Sequence, residues 1–264
     1  MAQLTAITKE QFVGKAWTGA GYAFAQKERL IPVVMAELNL LVPVMPIVFV
    51  PLDDSFQLMG LTAIQPGSNL YISPDGQWLG DYVPAIMRAY PFQIGKTTEP
   101  YDSLLCFDTG SGRLVDAGQG EPFFAADGAL TQSVTAIMNM LMEVEGSRIA
   151  THQAVDALHA AGLIQHWNLT VKDGDKSIEV QGLFRIDETI LNTLPDDTFL
   201  HLRQSGALGL AYAHLLSLNQ IKQFGKLVQV QQQLISQRAV NSFVPALDLS
   251  NISVGFYNDG SLKL

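Results

Sequence analysis

The sequence predicts an α+β protein with a strand-rich N-terminal half, a helical hairpin and a helical C-terminal region. Short apolar runs bounded by Pro and Gly fill the first half of the chain, whereas apolar residues recur at helical spacing from Ala129 onward. An Asp-Gly turn at 173–174 separates two alternating runs, which is the strongest hairpin signal in the chain. We expect the strands to form a mixed or antiparallel sheet.

The apolar run from Leu30 to Leu52 is the first segment to interpret. It contains Glu37, Asn39 and prolines at 32, 43, 46 and 51, which would interrupt a membrane-spanning helix repeatedly. We therefore expect no membrane span, but a short helix over about 33–41 and a buried strand over about 47–50. Further strands are predicted over 56–64, 70–73, 90–95 and 104–107, and Pro84 is placed to open a short helix.

The second half begins with the predicted helical hairpin, at about 129–162. Its apolar residues recur at helical spacing up to Gly146 and again up to Gly162, which is a natural C-cap. A β-hairpin over 166–186 follows and supplies the last strands of the sheet. Asp187 is well placed to cap the next helix, and helix-forming residues dominate the chain that follows.

The composition indicates one globular domain that buries a sizeable core. The chain has 264 residues, of which 48% are apolar, and we expect a single domain over 1–235 with a C-terminal extension over 236–264. The net charge of −9 and the scattered positions of the 16 basic residues argue against binding to a nucleic-acid backbone, which depends on clustered Lys and Arg. Nucleic acid is therefore not an expected partner.

The single cysteine and the first residues bear on the compartment. Cys106 cannot form an intrachain disulfide, and its apolar neighbours indicate a small buried hydrophobic residue. The N-terminal residues lack the basic and then apolar regions of a secretory signal. The expected location is the cytoplasm.

Four segments along the chain carry a family resemblance. They are Pro46-Ile-Val-Phe49, the run from Gly80 to Phe92, Gly120-Glu-Pro-Phe123 with Gly128, and Gly182-Leu-Phe-Arg-Ile-Asp-Glu188. In this order they resemble the SapC-like proteins of bacteria, and the similarity extends from about Tyr22 to Ala239.

The resemblance implies a role but no chemistry. The family takes its label from a gene associated with bacterial surface-layer proteins, and its members tend to be encoded near outer-membrane receptors and flavin halogenase-like proteins. The sequence contains no complete catalytic set, so we expect a non-catalytic binding or accessory protein of SapC type, and the resemblance implies a link to a surface-layer or nutrient-uptake system. The implication is an association and not a mechanism.

The candidate ligand-binding residues lie around the Gly80 to Phe92 run. Aromatic rings beside one arginine could form a recognition pocket for a carboxylate or a peptide, because such a pocket combines shape with one charge-assisted contact. The residues are Trp78, Asp81, Tyr82, Arg88 and Tyr90. A structural alternative remains, in which Arg88 forms a buried ion pair with Asp81 or Asp187.

Two catalytic alternatives stay open. In the first, the protein is an enzyme, or the partner of an enzyme, in a halogenase-like or oxygenase system. Asp187 and Glu188 would then have acid-base roles in a cleft with Arg88 or His201. In the second, Asp108-Thr-Gly belongs to an aspartic-type hydrolase, which would need a dimer to bring two Asp108 side chains together. The alternative for Asp108 is a plain Asx-type turn.

No cofactor or metal is expected from the sequence. His152 and His159 would lie two helical turns apart, about 10 Å along the axis, and could not share one ion. The expected partners are a small molecule or peptide, or another protein, and a homo-oligomer is compatible with the sequence.

Overall fold

The computed structural model describes residues 3–19, 21–96, 103–167, 169–173 and 176–243. It confirms the α+β class, because antiparallel sheets occupy the N-terminal half and helices dominate the C-terminal region. The elements before the long central helix are short strands and helices: β1 Leu4–Ala6, α1 Lys9–Phe12, β2 Lys15–Trp17, β3 Leu30–Pro32, α2 Leu38–Leu41, β4 Ile47–Leu52, β5 Ser55–Leu61, α3 Ala85–Ala89, β6 Phe92–Lys96, β7 Ser103–Asp108, β8 Leu114–Asp116 and β9 Glu121–Pro122.

The later elements include the longest helices of the described residues. They are α4 Gln132–Ala160, β10 Ile164–His166, β11 Leu169–Asp173, β12 Lys176–Val180, β13 Phe184–Ile186, α5 Glu188–Asn192, α6 Asp196–Gln204, α7 Ala207–Ser217 and α8 Gln223–Phe243. Short 3₁₀ helices occur at Ala23–Ala25, Met35–Glu37, Thr109–Ser111 and Leu218–Lys222. Helix α8 runs through the first part of the expected extension, and residues 244–264 lie outside the described residues.

The largest sheet has five antiparallel strands in the order β10-β13-β4-β5-β3. Its centre is the β4–β5 hairpin, in which Leu52 pairs with Ser55 across a two-residue turn. Two three-stranded sheets have the orders β1-β7-β6 and β8-β2-β9, and β11 pairs with β12 as a separate ribbon. The ribbon confirms the hairpin that the Asp-Gly turn predicts, and β13 brings this part of the chain to β4.

The two largest hydrophobic cores of the described residues both include side chains of α4. Its first half packs Val134 and Leu141 against Phe92, Phe107 and other aromatic residues beside the β1-β7-β6 sheet. Its second half packs apolar side chains against the five-stranded sheet. One continuous helix thereby joins the two halves of the fold.

The predicted helical hairpin over 129–162 is therefore wrong, because this segment is the single 29-residue helix α4. Gly146 sits in its interior, where it costs about 1 kcal/mol relative to Ala. Packing of the helix on both cores outweighs this small local cost. The end of the helix agrees with the prediction, since Gly162 follows it at φ 68° and its N–H donates to His159 O at 2.9 Å.

Two smaller predictions also differ from the structure. The expected helix over 33–41 is a 3₁₀ turn at Met35–Glu37 followed by the single turn of α2. The segment over 70–73 is not a strand, but makes one isolated bridge between Ile72 and Trp78. In both places the backbone follows side-chain hydrogen bonds that sequence spacing does not reveal, such as that from Met35 N–H to Thr151 Oγ1 at 2.9 Å.

Candidate functional site

The predicted aromatic residue Trp78 is part of the internal packing. Its indole Nε1 donates to the carbonyl of Tyr82 at 2.9 Å, and its ring stacks on Tyr71 with a centroid distance of 5.3 Å. The Tyr71 hydroxyl donates to Val44 O at 2.6 Å, and burial raises the pKa of this phenol. These contacts fix the loop that precedes α3.

Tyr82 connects this loop to a buried carboxylate. Its hydroxyl donates to Glu37 Oε1 at 2.7 Å, and the same oxygen accepts from Ala85 N at 2.6 Å. Glu37 is 6% exposed. Burial raises the pKa of Tyr82 to about 12, with the hydrogen bond to Glu37 as the next cause. Glu37 thus holds the first residue of α3 in place, a role that its position in the sequence does not reveal.

Arg88 and Asp81 are both exposed. The Arg88 Nε donates to Val83 O at 3.0 Å, its Nη2 donates to the Tyr82 hydroxyl at 3.3 Å, and the guanidinium lies 5.4 Å from the Tyr82 ring centroid. In the described part of the chain Arg88 forms no ion pair with Asp81 or Asp187. The structural alternative of a buried ion pair is therefore wrong.

Tyr90 belongs to a different group of side chains. Its ring stacks on Phe24 with a centroid distance of 3.9 Å, and the Arg113 guanidinium lies 5.1 Å from its centroid. Arg113 Nη1 also donates to Tyr90 O at 3.1 Å. Burial, followed by the charge of Asp108, raises the pKa of Tyr90. Tyr90 lines a small cavity of about 230 Å³ with Phe24.

The carboxylates of the catalytic alternatives bind backbone amides. Asp108 Oδ1 accepts from Gln3 N at 2.8 Å and from Gly110 N at 3.0 Å, which confirms the Asx-type turn. Asp187 caps α5 as expected, since its Oδ1 accepts from Thr189 N at 2.8 Å and from Ile190 N at 3.1 Å. Asp187 thus caps a helix, whereas Asp108 stabilises its own turn and also binds the N-terminal segment at Gln3.

A larger apolar groove, of about 430 Å³, lies between α4 and β5. Its walls combine apolar side chains from α3, α4, β5 and the segment after β3. They include Val33, Val34, Leu58, Ile86, Val144 and Ile149. The volume falls within the usual range of about 300–1,000 Å³ for ligand sites. Ile86 lies on α3, so the Glu37 and Tyr82 hydrogen bonds support one wall of this groove.

Polar side chains of the groove lie along one face of α4, at positions 145, 148 and 152. Arg148 Nε pairs with Glu145 Oε2 at 2.9 Å, and no described residue accepts a hydrogen bond from its two Nη groups. His152 is exposed. The sequence analysis missed this groove, although the spacing of Glu145, Arg148, Ile149 and His152 is a helical one.

The described residues show neither a metal-binding cluster nor a membrane-spanning helix. No group of three or more His, Cys, Asp and Glu side chains among them is arranged to hold a metal ion. None of the helices described here has both the length and the apolar character needed to cross a membrane.

Comparisons with known proteins agree with the family resemblance. No curated protein and no solved structure matches the chain. The family model SapC matches residues 12–224, which include the buried residues of both cores, the groove and all five predicted ligand-binding residues. The chain therefore belongs to the SapC family.

Proposed function

We propose that this SapC-family chain is a non-catalytic binding protein whose ligand occupies the groove between α4 and β5. One observation carries the proposal, namely an apolar groove of about 430 Å³ with an arginine at its rim. Most ligand sites are apolar cavities of this size in which a few polar groups fix the orientation of the ligand.

The ligand that fits this groove has an apolar body and a carboxylate or similar anionic group. The apolar body replaces water along Val34, Val144 and Ile149. The anionic group binds the Nη groups of Arg148, whose side chain is 56% exposed and already held by Glu145 through Nε. An arginine oriented in this way loses little further conformational freedom when it binds an anion.

We propose that the five predicted ligand-binding residues support the groove wall instead of contacting the ligand. Tyr82 and Trp78 fix the loop before α3, and α3 carries Ile86 into the groove wall. Asp81, Arg88 and Tyr90 flank the same loop and helix. A ligand in the groove would contact Ile86 of α3 and would affect these residues only by shifting α3.

We also propose that the protein acts in the cytoplasm as an accessory to a surface-layer or nutrient-uptake system. Membership of the SapC family supports this role by association. Cell fractionation followed by purification of the intact protein with its bound partners tests it. Recovery only from an envelope fraction would contradict the cytoplasmic location.

Amide NMR of the isotopically labelled full chain tests the binding site. The probes are a set of amphipathic carboxylic acids and short apolar peptides. We expect the shifts of binding probes to cluster at residues 33–34, 56–58 and 144–152. Shifts that cluster instead at residues 78–90, with none on α4, would contradict the groove as the site.

A further inference from the structure

Strand β5 has an incomplete neighbour on the side away from β4. On that side β3 pairs only with Leu61, Gly60 and Met59. The last hydrogen bond runs from Val33 N to Leu58 O at 3.3 Å, after which the chain turns toward α4. Among the described residues, no strand pairs with the first part of β5 on this side.

The backbone groups of Phe56 face this open edge. In an antiparallel pair the N–H and C=O of one residue point to the same side, and successive residues alternate. Leu61 faces β4, because its N–H donates to Pro46 O at 2.8 Å, and Gln57, four residues earlier on β5 and paired with Val50, faces β4 by this alternation. Gly60, Leu58 and Phe56 therefore face away from β4, and Phe56 has no paired strand there.

The groove runs along this edge. Phe56 and Leu58 project from one face of β5 and Gln57 from the other, and all three line the groove. Successive residues that project from opposite faces of a strand line one common space where that space reaches the edge of the strand. The groove therefore combines apolar walls with an unpaired backbone N–H and C=O.

We propose that the occupant of the groove is an extended peptide segment, which adds a short strand beside Phe56. This inference rests on the proposed function of the groove as a binding site. Peptides bind strand edges through main-chain hydrogen bonds, while pockets take their alternate side chains. A simple apolar acid would fill the groove but leave the N–H and C=O of Phe56 unpaired, which costs binding free energy.

The positive charge of Arg148 at the groove rim also fits an extended peptide. Arg148 offers its Nη groups to a carboxylate, and an extended peptide carries one at its C-terminus. The short open edge provides hydrogen bonds for one peptide residue, so the apolar side chains supply most of the affinity. An extended segment of about four residues spans roughly 13 Å.

The test uses the full-length protein and a library of N-acetylated tetrapeptides with free C-terminal carboxylates, built from Ala, Val, Leu and Phe. Decanoate serves as the matched apolar acid. The tightest tetrapeptide is then N-methylated at each position in turn. We expect at least one N-methylation to weaken binding about tenfold and its sequence neighbours to have little effect, because only alternate amides face β5.

Amide hydrogen exchange provides the second measurement. The bound tetrapeptide should slow exchange of the Phe56 amide about tenfold and leave the Gln57 amide, which faces β4, unchanged. The peptide inference is overturned if decanoate binds more tightly than every tetrapeptide. It is also overturned if the Phe56 amide exchanges as fast with the tetrapeptide bound as without it. In both cases the groove remains the proposed binding site. If Ile149→Trp alters the binding of neither probe, the proposed function itself is overturned.

Discussion

The Tyr82 hydroxyl donates a 2.7 Å hydrogen bond to the buried carboxylate of Glu37, which joins the loop before α3 to the 3₁₀ helix after β3. Glu37 and Tyr82 are 45 residues apart in the chain. Through Ala85 N, the same carboxylate oxygen also fixes the start of α3. The groove wall formed by Ile86 of α3 thus depends on the hydrogen bonds of Glu37, which lies behind it.

We predict that Tyr82→Phe destabilises the protein by about 1–3 kcal/mol, because Glu37 remains buried and loses one of its donors. Urea unfolding of the wild type and the variant measures the difference. Tyr212→Phe is the matched control, since Tyr212 is 45% exposed and should change stability by less than about 0.5 kcal/mol. Equal stability of the Tyr82 variant and the wild type would contradict the role of Glu37.

Stability should fall in mild acid because of His214. This residue is fully buried, its Nε2 accepts from Ile186 N at 3.1 Å, and burial lowers its pKa to about 3. Below about pH 6.5 the unfolded chain binds a proton that the folded protein does not. The free energy of unfolding therefore decreases as the pH falls from about 6.5 toward 3.

Between pH 7 and pH 5 this single group should remove about 2 kcal/mol from the free energy of unfolding. The measurement is urea unfolding at both pH values for the wild type and for His214→Gln, whose amide does not titrate. The loss on acidification should be about 2 kcal/mol smaller in the variant. His201→Gln is the control, because His201 is exposed, and its loss of stability on acidification should equal that of the wild type. Equal losses in the wild type and His214→Gln would contradict the prediction.

The interior glycine of α4 offers a test of its continuity. A Cβ added at Gly146 would meet nothing within 4 Å, so Gly146→Ala should stabilise the protein by about 0.5–1 kcal/mol. At Gly60 an added Cβ would lie 2.5 Å from Met45 Sδ, so Gly60→Ala should destabilise it by about 1–3 kcal/mol. Thermal unfolding measures both. Destabilisation by Gly146→Ala would indicate a break in the helix.

Replacement of Gln231 should weaken the attachment of helix α8 to the loop before Trp78. The Gln231 amide donates to Leu70 O at 3.0 Å and to Ile72 O at 2.6 Å, which ties α8 to the loop before Trp78. Gln231→Ala should increase hydrogen exchange across residues 223–243, with the exposed Gln233→Ala as control. Equal exchange in the two variants would show that apolar contacts, such as those of Phe224, hold the helix without Gln231.

Local signals predict much of the fold correctly. The Asp-Gly turn predicts the β11–β12 ribbon, Asp187 caps α5, Gly162 ends α4 and Cys106 is buried. Each of these features depends on residues close in the sequence. Gly146 is misleading for the same reason, because the two cores that keep α4 continuous are assembled from distant segments.

The groove was not predictable in the same way. Its walls join Val33, Phe56, Ile86 and Val144, which come from four separate segments of the chain. The aromatic residues near Arg88 indicate a binding site in the sequence because they lie close together along the chain. In the structure, however, the polar groups of Trp78 and Tyr82 form internal hydrogen bonds. Residues that lie close together in the sequence therefore need not line a cavity, and the groove becomes visible only once distant segments are brought together in the fold.

The most direct test of the groove is a fluorescence titration with 1-anilinonaphthalene-8-sulfonate, an apolar anion, against matched tryptophan variants. Ile149 lines the groove and is 67% exposed, whereas Met142, seven residues earlier on α4, is 48% exposed and lies outside the groove lining. We predict saturable binding by the wild type and by Met142→Trp, with a dissociation constant at least tenfold higher for Ile149→Trp. Equal dissociation constants for the two variants would contradict the groove as the binding site.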